Sequence, residues 1–139
     1  MRTLQAEPYL AHKIEYTRNI TRDLVEQHKT AWQQKGKRLM AAILFGPLAV
    51  NEYDENIHLL EIVEGYPYPR PRTGPLVHEF ESTRQFPMYG RLQLYVMSPR
   101  EFAEAVAANH PLIEENREQK EILFDHRDFV QKLLRQACL

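Results

Sequence analysis

Cysteine is almost missing from this chain: its 139 residues contain one, Cys138, beside the C-terminus. One thiol cannot close an internal disulfide, and no Cys/His spacing of a structural zinc site occurs. Long apolar runs are missing too. The most apolar window, Leu39 to Val50, is broken by Gly46 and Pro47, whereas a membrane-spanning helix takes about 20 consecutive apolar residues. The opening stretch MRTLQAEPYLAHK lacks the apolar segment of a secretory signal. Neither charge sign dominates, with 18 Lys and Arg against 19 Asp and Glu and a formal net charge of -1. That balance does not indicate nucleic acid as the partner of the whole domain, and it leaves a local basic patch open. The prolines at 67, 69, 71 and 75 are never three apart, so the PxxP spacing of a polyproline ligand is absent. A soluble, cytoplasmic protein without a membrane partner is the expectation.

What is present fits one globular domain. Hydrophobic residues make up 43% and charged residues 27%, an ordinary balance for a single core. Residues 9–35 carry Ile14, Thr17, Thr21, Leu24, Val25, His28, Ala31 and Trp32 at helical spacing, which predicts one long N-terminal helix. Gly36 is its expected stop. RLMAAILF at 38–45 is apolar on both faces, as a central strand is. Gly46-Pro47 breaks it, and proline suits the first turn of a short helix. NIHLLEIVE at 56–64 predicts the next strand. LVHEFES at 76–82 and GRLQLYVM at 90–97 alternate as strands do, and a hairpin around TRQFPMY would join them. In SPREF, Ser98 caps, Pro99 takes the first helical position and Glu101 completes a capping box. A short helix at 111–118, an extended KEILFD and a last helix capped by Asp125 complete the chain. The predicted class is α/β, a mixed β-sheet flanked by helices, without repeats or internal boundaries.

The stretch ILFGPLAVNEYDENIHLLEIVE, residues 43–64, carries a resemblance. It is similar to the signature of minimal nucleotidyltransferase domains of the DNA polymerase beta superfamily: an apolar strand, Gly-Ser, a spacer, then Asp-x-Asp opening the next strand. Gly46 matches the glycine, Pro47 stands in place of the serine, and Asn56 and His58 stand in place of the two aspartates. The segment from Arg91 to Asp125 resembles the family's second half, a strand into a Ser-Pro-x-Glu helix, an Asn-x-Pro turn, and an ILFD segment. The matching pieces cover roughly residues 38–126. The resemblance implies a nucleotidyltransferase-like fold, and strand alternation suggests Gln93 as the nearest match to a third acidic residue. It also implies a partner, since relatives pair with small helical HEPN proteins as toxin–antitoxin partners and active ones transfer AMP onto that partner. Self-association is the alternative.

The substitutions bear directly on chemistry. In the family the acids hold two divalent ions that bridge nucleotide phosphates and activate the attacking hydroxyl. Mg²⁺ wants anionic oxygen ligands, and Asn56, His58 and Gln93 supply none. Pro47 offers neither a hydroxyl nor a backbone N–H to phosphate. The expectation is therefore a pseudoenzyme with no catalytic residue, metal or cofactor, kept as a protein-binding module. Two alternatives remain open: an enzyme that holds Mg²⁺ on displaced acids such as Asp54 and Glu55, and a nucleotide sensor without chemistry. His58 with His78 is a further imidazole pair to weigh for zinc or nickel. Arg70 and Arg72 with Tyr66 and Tyr68 could grip phosphate or stack on a base, against the plainer reading of a stiff solvated loop. HRDF at 126–129 lacks the glycine-rich loop and DFG of a kinase, and no nucleophile elbow or Cys-His arrangement stands out.

Overall fold

The computed structural model describes residues 3–54, 56–66, 85–86, 90–109, 113–114 and 118–137; the side chains of residues 3–8, 85–86, 90–91 and 137 lie outside that description. The elements run α1 (Thr3–Gln34), β1 (Arg38–Phe45), a 3-10 turn (Pro47–Val50), β2 (Asn56–Glu64), β3 (Gln85–Phe86), β4 (Gly90–Met97), α2 (Pro99–Ala107), β5 (Lys120–Asp125), a second 3-10 turn (His126–Asp128) and α3 (Phe129–Ala137). The strands form one mixed sheet in the order β3-β4-β2-β1-β5. β1 lies antiparallel to β2 and to β5, while β2 and β4 run parallel. No helix among the described residues is long and apolar enough to cross a membrane.

The central strands are buried on both faces, which is why they read as near-continuous apolar runs. On one face, Leu39, Ala42, Leu44, Ile57, Leu59, Val63, Leu92, Leu94 and Val96 pack beneath α1 through Val25 and Trp32. On the other, Ala41, Ile43, Leu60, Ile62 and Met97 pack against Phe102, Ala105 and Val106 of α2 and Val130 of α3. Thr17, Thr21, Val25, His28 and Trp32 form the buried stripe of α1, spaced so that successive turns face the sheet.

α1 starts at Thr3, six residues before the predicted start. The added segment TLQAE is rich in good helix formers. At about 1.5 Å per residue its 32 residues span about 48 Å. The 8 residues of β1 span only about 26 Å. The helix therefore overhangs the sheet at its N-terminal end, where Tyr9 and Leu10 are exposed.

α2 has the expected cap. Ser98 Oγ accepts from the N–H of Glu101 at 3.1 Å, and Glu101 Oε1 accepts from the N–H of Ser98 at 3.1 Å. Asp125 serves α3 across the second 3-10 turn, accepting from Val130 N–H at 2.8 Å and Gln131 N–H at 3.1 Å. Two expectations need adjustment. The described antiparallel partner of β4 is Gln85–Phe86, inside the stretch expected to be the hairpin turn. The predicted strand at 76–82, Cys138 and most of the predicted helix at 111–118 lie outside the described residues.

Candidate functional site

The sequence-derived positions converge at one end of the sheet. His58 is the Cα partner of Phe45 in β1 and of Gln93 in β4, which makes it the middle of three adjacent strands. Gly46 follows Phe45 directly. Its φ of 89 lies in the left-handed region that favours glycine, and a Cβ there would sit 3.5 Å from His58 Cδ2. The Gly46 N–H donates to Gln119 O at 2.9 Å, so this amide is already spoken for. Pro47 opens the 3-10 turn, whose end is marked by Asn51 in a left-handed conformation. Asn56, exposed at the start of β2, pairs with Arg91 one step further out.

Alternation along β2 places Asn56 and His58 on the face of Leu60 and Ile62, just beyond the core of α2 and α3. There the His58 ring stacks on Tyr95, with centroids 6.4 Å apart and an interplanar angle of 10°. Burial raises the Tyr95 phenol above its ordinary value of 10.0, because a phenolate loses hydration there.

The donor set at this place is one imidazole and two amides. Paired hard divalent ions need anionic oxygens to offset their charge, and these residues do not fit them. Asp54 stands at the mouth, but its carboxylate accepts from the Asn56 N–H at 3.0 Å and so shapes the start of β2. Among the described residues, no three His, Cys, Asp or Glu groups gather closely enough to hold a metal ion. Glu55, His78, Arg70, Arg72 and Tyr68 lie outside the described residues. Tyr66 is buried against Trp32, edge to face at 5.8 Å, so it belongs to the core.

Sequence reasoning counted one acid, Glu61, only among those near the site and missed its partners. Glu61 sits in the same strand but on the opposite face, fully buried. Its carboxylate accepts from Trp32 Nε1 at 2.8 Å and meets His28 Nδ1. His28 and Trp32, four residues apart on α1, therefore bolt the helix to the middle strand. The signal was an acid inside an otherwise apolar strand opposite a helix whose apolar stripe includes a histidine and a tryptophan.

A cleft of about 730 Å³ opens beside the α1 overhang, between Leu10, Ile14, Arg18 and the residues Asn51 to Tyr53. Lys13 lies over the Tyr53 ring at 4.4 Å. Arg18 bonds Asn51 and Glu121, and Arg22 adds a second contact to Glu121 at 2.8 Å. Val50, at the tip of the first 3-10 turn, is 38% exposed.

Compared with protein-family models, with curated proteins and with solved structures, the chain matches none.

Proposed function

We propose that this chain is a nucleotidyltransferase-like domain without two-metal transfer chemistry, serving as a binding module for a small helical protein of the HEPN type. The reading rests on His58: it stands between Phe45 and Gln93 where the resemblance places metal-holding acids, and the donors around it are neutral or basic. Pro47, beside it, removes the hydroxyl and the amide that would hold phosphate. The partner reading is supported by the α1 overhang. Tyr9, Leu10 and Val50 expose apolar surface near a cleft wide enough to accept side chains of a second helix.

The test is incubation with labelled ATP, GTP, CTP and UTP under Mg²⁺ or Mn²⁺, with the candidate helical partner present. The expected result is complex formation on size exclusion without label transfer to either protein. Complex formation should weaken in Leu10→Asp. Transfer that disappears in Asp54→Asn would instead assign an active enzyme using displaced acids. Triphosphate binding without Mg²⁺ and without turnover would assign a sensor. A second copy in place of the helical protein would show as a concentration-dependent dimer.

A further inference from the structure

The opposite end of the sheet carries a different chemistry. Arg38 and Phe45 are the two ends of β1, so this end lies about 23 Å from His58 at the rise of a strand. Two clefts, of about 600 and 440 Å³, adjoin there and share Arg38, Glu64 and His126 on their walls. Lys29 and Lys37 line the first; Arg127 and Lys132 line the second. Together with Arg38 that is five permanent cations, and Glu64 is the one carboxylate among the described lining residues. The chain as a whole carries -1, whereas the described lining of these two clefts is positive.

Local ion pairing cancels part of it: Lys29 pairs with Glu26 at 3.1 Å, which leaves Lys37, Arg38, Arg127 and Lys132 to set the charge of the two clefts. Arg38 and Glu64 approach only to 3.9 Å, and both are more than half exposed, a pair that solvent largely screens. Arg127 and Asp128 are consecutive non-glycine residues with φ of 52 and 59, a backbone that turns the chain sharply between β5 and α3. That turn sets Arg127 on the wall of the second cleft, beside Lys132. Aromatic rings accompany the cations. Phe124 lines the first cleft with the Lys29 ammonium 4.2 Å from its centroid, and Phe129 lines the second.

We propose that these two clefts form a docking groove for a single-stranded nucleic acid, with Lys37, Arg38, Arg127 and Lys132 on the phosphates. Cations along a cleft with aromatic rings on its walls are how single strands are held without sequence preference, and the two clefts meet at Arg38, Glu64 and His126 at the end of the sheet. A flat basic patch for duplex DNA would not need the rings or the cleft depth.

The test is fluorescence anisotropy of the full chain with a labelled mixed-sequence RNA oligonucleotide across a NaCl series. Four phosphate contacts predict a slope of log K against log salt of about -3. Lys37→Gln/Arg38→Gln/Lys132→Gln should weaken binding about tenfold or more and flatten the slope by about 2. Arg100→Gln, at an exposed cation on α2, should leave both unchanged. Thermal melting of each variant separates lost binding from lost folding. No salt-dependent binding by the wild type overturns the proposal, as does an affinity that the triple substitution leaves intact. Polyglutamate that binds more tightly than the RNA also overturns it and assigns the groove to an acidic protein segment.

Discussion

Glu61 of β2 and His28 of α1 meet in the interior, at 0% and 4% exposure, with the carboxylate also held by Trp32. A carboxylate in such a place is tolerable only while its donors stay. Leaving one member of a buried hydrogen-bonded pair without its partner costs about 1–3 kcal/mol, whereas replacing both by apolar groups can be close to neutral. His28→Leu should therefore lower stability by about that amount. His28→Leu/Glu61→Leu should recover much of the loss, and urea midpoints at unchanged slope measure both.

Tyr95 contributes to a loss of stability at alkaline pH. Burial raises its folded-state pKa above 10.0, so the unfolded chain releases the phenolic proton first. The stabilising contribution is complete below pH 10 and falls away as pH climbs past it. Tyrosinate absorbance should include one late-titrating phenol, absent in Tyr95→Phe. The variant should lose less stability than the wild type between neutral pH and the alkaline range.

The capping box of α2 predicts a smaller, local effect. Ser98→Ala frees the Glu101 N–H and should cost about 1 kcal/mol. Thermal melting would show it as a drop of a few degrees, while Arg100→Ala, at an exposed position of the same turn, should change little.

Acids placed at the positions near Gly46 should create what the wild type's donors do not supply. His58 and Gln93 are direct Cα partners on parallel strands. His58→Asp/Gln93→Asp brings two carboxylates together, which destabilises the apo chain through like-charge repulsion. Added Mg²⁺ should then raise the variant's melting temperature, as any ligand of the native state does. The wild type should show no comparable rise. An equal rise in both would contradict the donor argument.

Much of the fold was legible because its strands are extreme. RLMAAILF, NIHLLEIVE and GRLQLYVM became β1, β2 and β4 with the expected bounds, the first from its apolar run and the last from its alternation. Ser98, Pro99 and Glu101 announced α2 through capping chemistry that is purely local. Pairing was not legible. Nothing local says that β2 lies parallel to β4 with His58 opposite Gln93, because that register depends on a crossover of more than twenty residues. Glu61 was hidden for the same reason. An acid within an apolar strand reads as solvent-facing until the histidine and tryptophan across the interface are known. The basic end was invisible as well, since Lys29, Arg38 and Lys132 are far apart in the chain and balanced in the total charge.

The length of α1 gives the molecule a mechanical property. Its overhang and its buried stripe belong to one unbroken rod, and that rod is pinned to the middle strand through Glu61. A load applied near Tyr9 is thus carried as torque to a fulcrum inside the core rather than absorbed by a loop. Anything gripping the tip would pull on the strand that carries His58.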